Sequence, residues 1–173
     1  MKLTINKSLA NLFPLNRKPQ FYTMYSKQET ATIKQSFWTS FGLYMKPVPT
    51  AAGQKNSWIN YKTGIPHIYF RMVAEKRYAS IAIEIANPSE EMRAMQFKQF
   101  AQLKTLFQNM AGKEWTWQEN TIDSNGKPMS RIYQTLAGVS VLAEQDWPAI
   151  ISFLKTRIIA LDAFWEEVKY GFE

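Results

Sequence analysis

Apolar and polar positions alternate most cleanly between Tyr78 and Ala86, where Ala79, Ile81, Ile83 and Ile85 fall on one side and Ser80, Ala82 and Glu84 on the other. A period of two over this length predicts a strand buried on one face only. His67 to Ala74 and Ser57 to Lys62 carry a related pattern, set off by Thr63-Gly64-Ile65-Pro66 and by Glu75-Lys76-Arg77. The stretch therefore predicts three consecutive antiparallel strands. If the apolar faces coincide, the second hairpin pairs Ala74 with Ala79, Met72 with Ile81, Phe70 with Ile83 and Ile68 with Ile85. The first hairpin sets Ile59 opposite Phe70 and Tyr61 opposite Ile68. The other face then collects Trp58, Asn60, Tyr69, Arg71, Ser80, Ala82 and Glu84, with Tyr69 directly opposite Glu84 and Arg71 on the diagonal.

Helical periods flank this sheet. Ser26 followed by Glu29 is a capping box, and Ile33, Phe37, Phe41 and Tyr44, broadened by Trp38, predict a helix that ends before Pro47 and Pro49. Ser89 with Glu90 and Glu91 starts a second helix, whose expected buried stripe is Met92, Met95, Phe100, Leu103, Phe107 and Met110 as far as Gly112. Glu114 to Glu119 and Met129 to Leu136 read as strands around the turn Asp123-Ser124-Asn125-Gly126, with Val139 to Leu142 a short strand or a loop. From Asp146 onward, Trp147, Ile150, Leu154, Ile158, Leu161, Trp165 and Val168 predict a final helix, with Pro148 tolerated in its first turn. The expected fold is α+β, a mainly antiparallel sheet of five or six strands with three helices in the order α-β-β-β-α-β-β-α. Residues 1–23, with no acidic residue, two prolines and no periodic apolar face, read as a loosely held extension ahead of a single domain over 24–173.

Composition narrows the chemistry. A chain of 173 residues with 46 % hydrophobic and 14 % aromatic content can bury a core, and no apolar run approaches the twenty residues of a membrane-spanning helix. With no cysteine and one histidine, disulfides and a cysteine nucleophile are excluded and a His/Cys metal site is disfavoured. Cytoplasmic placement and no cofactor are expected. The formal charge of +7 includes four basic residues in positions 1–23, leaving +3 for the rest, so charge alone is weak evidence of a nucleic-acid partner.

Four motifs in order carry a family resemblance: Phe37-Trp38-Thr39 with Phe41, Ile83-Glu84-Ile85, Ser130-Arg131-Ile132 and Asp146-Trp147-Pro148. Over Met24 to Phe172 the chain resembles the bacterial domain of unknown function numbered 4268. Members of that family often form the C-terminal part of longer proteins whose N-terminal part looks like a restriction-type nuclease. The resemblance implies a restriction or genome-maintenance setting. Residues 1–23 are too short to hold a nuclease, so as a stand-alone chain such a role is expected to pass through a separate nuclease partner protein or to belong to this domain alone.

The expected element order also matches the α-β-β-β-α-β core of PD-(D/E)xK nucleases. That chemistry needs clustered carboxylates and a lysine, whereas the strand before Glu84 holds no acid and Ala86 stands where the lysine is wanted. No nucleophile elbow, glycine-rich phosphate loop or zinc-protease motif is present, and no catalytic or metal-ligating residue is assigned. The expected function is that of a non-enzymatic accessory or binding domain contacting nucleic acid or a protein partner. A degenerate metal-dependent nuclease is the alternative. The candidate binding residues are Trp58, Asn60, Tyr69, Arg71, Glu84 and Arg131, the two arginines being suited to bidentate contact with phosphate or a base edge.

Deleting residues 1–23 is expected to leave the melting temperature nearly unchanged; a fall of more than about 5 °C, equivalent to more than about 1 kcal/mol for a domain of this size, would place the extension within the fold.

Overall fold

The computed structural model describes residues 25–54 and 57–173; the extension expected over 1–23 lies outside them. Helix α1, Lys27–Met45, begins at the expected capping box. The Ser26 hydroxyl accepts the Glu29 N–H at 3.2 Å, and the Glu29 carboxylate accepts the Ser26 N–H at 2.7 Å. The helix buries Phe37, Phe41 and Met45 and stops ahead of Pro47, where the proline ring disfavours a further turn. Tyr44 points outward instead, beneath the Lys155 ammonium.

The strand expected over Ser57 to Lys62 is absent. The segment is turns and coil, held by the polar atoms of its own side chains instead of by a ladder. Trp58 and Tyr61, three positions apart, turn inward, while Ile59 and Asn60 face solvent. The Trp58 indole donates to the Val48 carbonyl at 3.0 Å, and the Tyr61 hydroxyl donates to Asp162 at 2.7 Å. Asp162, 1 % exposed, also accepts the Ala51 N–H at 2.6 Å. Burial, reinforced by the hydrogen bond and charge of Asp162, pushes the Tyr61 hydroxyl well above its ordinary pKa. Thr63 closes the segment: its hydroxyl donates to the Ile68 carbonyl at 2.7 Å, and its own carbonyl accepts the Trp165 indole N–H at 2.8 Å.

Strands β1, Ile68–Ala74, and β2, Tyr78–Ile85, form a hairpin in the expected register from Ile68 with Ile85 to Ala74 with Ala79. The single helix expected after Ser89 is two: α2, Glu90–Gln102, and α3, Lys104–Ala111. At Leu103 the chain leaves helical geometry (φ −91°, ψ 7°), which re-aims the second piece. Phe100 then stacks on Trp165 and Phe107 meets Phe164 edge-on at 5.1 Å. The rotation of α2 also differs from the expected stripe. Met92 and Met95 are exposed, whereas Arg93 and Gln96 are buried with Phe100, the arginine reaching the Asn87 carbonyl at 2.9 Å. Arg93 Nε and Gln96 Oε1 are enclosed there with no hydrogen-bond partner among the described residues.

Strands β3, Thr116–Ile122, and β4, Pro128–Ala137, follow as the expected hairpin, with the Asp123 carboxylate accepting the N–H groups of Asn125 and Lys127 at 2.8 Å each. A bulge between Gln118 and Thr121 holds Asn120 at a φ of 53°. Val139 to Leu142 is a loop whose Val141 N–H donates to the Glu75 carbonyl. The Asp146 carboxylate accepts the Ser140 N–H and makes no cap contact with α4, Trp147–Val168, which starts with Pro148 in its first turn.

The fold is α+β with one antiparallel sheet in the order β1-β2-β4-β3. Among the described residues four strands and four helices stand in place of the expected five or six and three, because Ser57 to Lys62 does not pair, Val139 to Leu142 is a loop and Leu103 splits a helix. The element order consequently departs from the α-β-β-β-α-β of the nuclease comparison. Helices α2 and α4 lie against the inner face of the sheet, where Ile68, Phe70, Ile81, Ile83, Ile85 and Ile132 meet Leu154, Ile158, Leu161 and Trp165 in one core, and α1 and α3 pack beside α4. Among the described residues no helix is long and apolar enough to cross a membrane.

Asp162→Ala strips the Tyr61 hydroxyl and the Ala51 N–H of their acceptor inside the core, and should cost about 2–4 kcal/mol, read as a fall of roughly 5–15 °C in melting temperature. Tyr61→Phe, which keeps the ring and removes one hydrogen bond, should cost less.

Candidate functional site

Strand alternation gives the sheet two unlike faces. The helices occupy the inner one; the outer one carries Tyr69, Arg71 and Val73 from β1, Tyr78, Ser80, Ala82 and Glu84 from β2, Arg131, Tyr133 and Thr135 from β4, and Thr116 and Gln118 from β3. Tyr69 and Tyr78 are 37 % and 41 % exposed, values typical of a surface and not of a helix-covered sheet. Between the side chains of β1, β2 and β4 lies a concavity of about 380 Å³, with Ser80 and Ala82 as its low floor and Arg71, Tyr78, Arg131 and Tyr133 as walls.

Glu84 sits at one end of this floor. Its register partners are Tyr69 on β1 and Arg131 on β4. Arg71 Nε approaches Glu84 Oε2 at 3.4 Å, the long end of the hydrogen-bond range, and the Glu84 side chain is 29 % exposed. Burial raises the Glu84 pKa; the positive charge and hydrogen bond of Arg71, and then the charge of Arg131, pull in the opposite direction without cancelling the effect. Each arginine also lies over a tyrosine. The Arg71 guanidinium is 4.6 Å from the Tyr69 ring centroid, and that of Arg131 is 4.2 Å from Tyr133. Arg131 Nε donates to Gln118 Oε1 at 2.8 Å, which fixes the plane of its fork.

Four of the six residues singled out in the sequence, Tyr69, Arg71, Glu84 and Arg131, meet on this face. Trp58 and Asn60 do not. Trp58 is 3 % exposed and belongs to the core, and Asn60 lies on the exposed turn beside it. Both assignments depended on a strand that does not form. Tyr78, Tyr133, Thr135 and Gln118 were missed. The alternation of Arg131, Tyr133 and Thr135 within β4 was visible, but its alignment with Glu84 needed the β2–β4 pairing. Among the described residues no three His, Cys, Asp or Glu side chains converge as metal ligands, and the charged groups nearest Glu84 are cations.

A family model described as Domain of unknown function (DUF4268) matches residues 33–169. The chain belongs to this DUF4268 family. The match runs from within α1 to the end of α4 and so contains the whole open face. Searches of curated proteins and of solved structures found no match.

The raised pKa of Glu84 gives this DUF4268 domain a signed pH dependence. The folded state holds the proton more tightly than the unfolded state, so this group's contribution to stability is full below its ordinary value of 4.5 and is lost as pH rises through the folded-state pKa. Glu84→Gln cannot ionise. The melting temperature of the variant relative to wild type should therefore climb as pH is raised from 4.5 toward neutrality; a flat or falling difference would mean that Arg71 and Arg131 outweigh burial.

Proposed function

We propose that this domain is a non-enzymatic binding module that takes single-stranded nucleic acid on its open sheet face. The observation that carries the reading is the pair of guanidiniums, Arg71 and Arg131, each lying over a tyrosine on either side of one concavity. Unpaired bases stack on aromatic rings and guanidinium planes, while the arginine forks pair with phosphate oxygens. A four-stranded sheet with aromatics on its outer face offers such a platform over several nucleotides. In the restriction or genome-maintenance setting implied by the family resemblance, the module would hold an unpaired strand in the cytoplasm for a separate nuclease partner. The nuclease alternative gains nothing from the geometry, since a metal ion at Glu84 would have to compete with two nearby cations.

Fluorescence anisotropy with short unpaired DNA and RNA oligonucleotides tests this. Wild type should bind, with log K falling linearly against log salt by about 0.7 for each phosphate neutralised. The Arg71→Ala, Arg131→Ala double variant should bind at least about tenfold more weakly, a loss of about 1.4 kcal/mol, with a shallower slope. Absence of binding, salt-independent binding or full affinity in the double variant would overturn the proposal, as would a preference for duplex.

A further inference from the structure

Resting on that reading, we infer that Glu84 makes the face selective for guanine among unpaired bases. The carboxylate lies on the floor of the concavity, and among the described residues its one hydrogen bond is the 3.4 Å contact from Arg71 Nε. A carboxylate offers two oxygens and about four acceptor positions, so most of its capacity is unused although the side chain is only 29 % exposed. A ligand that fills the concavity must bring donors to it.

Phosphate cannot, because like charge keeps it away from Glu84 and sends it to the outer edges of Arg71 and Arg131. A base edge can. Guanine alone carries two adjacent N–H donors, N1–H and the N2 amino group, on the edge it uses for pairing. Adenine and cytosine show one amino group beside an acceptor, and uracil or thymine one N–H between two acceptors. The two guanine donors match the spacing of the two carboxylate oxygens. The third group on that edge, O6, is an acceptor, and the Arg71 guanidinium beside Glu84 supplies a donor for it. Tyr133 and Tyr78 stand on the walls as ring surfaces, and Ser80 and Ala82 are too small to block entry. Arg131 is turned toward Gln118 by their 2.8 Å hydrogen bond and so serves the backbone side of the site.

Short uridine tracts carrying guanine, inosine or adenine at the same central positions separate the outcomes. Inosine keeps N1–H and O6 and lacks only the N2 amino group. Wild type should prefer guanine to inosine and guanine to adenine by at least about fivefold, the lower end of what a bidentate base contact contributes. Glu84→Gln, which replaces one acceptor with a donor, should bring the guanine-to-inosine ratio close to one and the guanine-to-adenine ratio to one or below. The inosine comparison uses unaltered protein, so it decides guanine selection even if the variant folds poorly, and an unchanged ratio in a folded variant takes that selection away from Glu84. Binding of all tracts with equal affinity overturns guanine selection and leaves the binding reading standing. Failure to bind any tract overturns both.

Discussion

A carboxylate buried among aromatic rings sets the terms for much of this molecule. Asp162 is enclosed on α4, and its oxygens take the Ala51 N–H and the Tyr61 hydroxyl, two groups more than a hundred residues away in sequence. Burying a charged group in this way is costly unless its hydrogen bonds are made. The chain after α1 is therefore drawn across α4 before it enters the sheet. Trp58 tilts against Tyr61, Tyr61 stacks on Phe70 along that crossing, and Phe70 in turn meets Trp165 edge-on. The path of the connection, the seating of β1 and the position of the longest helix are thus fixed by one set of contacts.

With the crossing and α4 held on one side, the sheet is left with a dry face and a wet one. Isoleucine dominates the dry face, and its stiff branched side chains suit a pleated surface packed against helices. The wet face is free to carry groups that would be expensive in a core, and it carries them as charge partners across strands: Arg71 beside Glu84, with Arg131 opposite. The small residues Ser80 and Ala82 lower the middle of that face. A surface that might have been flat becomes concave without any loop being needed to build a wall.

The β1–β2 register was legible because its alternation is strict and its turn is short; a slip of one residue would have exchanged the faces. Ser26 with Glu29 and the Asp123-Ser124-Asn125-Gly126 turn were legible for the same reason, since each signal is local. At Ser57 to Lys62 the alternation of Ile59 and Tyr61 with Trp58 and Asn60 resembles a strand without being one. Trp58 and Tyr61 are strand-favouring residues, yet their polar atoms have partners on Val48 and Asp162, and those long-range contacts outweigh propensity. The rotation of α2 was hidden for a similar reason: Met92 and Met95 outrank Arg93 and Gln96 on any hydrophobic scale, but only the structure shows which side of the helix meets the sheet. Tyr133 and Gln118 required knowledge of strand order, which a list of elements does not contain.

The central seam of the sheet has a bearing on how the face comes into being. Glu84 belongs to one hairpin and Arg131 to the other, and the two join along β2 and β4, which α2, α3 and β3 separate in sequence. Each hairpin closes a short loop, whereas the seam closes a long one, so the seam carries the larger entropic cost of closure. No half of the chain holds the concavity. The face is assembled by the same event that completes the sheet, and a partner that recognises it recognises finished domains alone, with nascent or half-folded chains passed over.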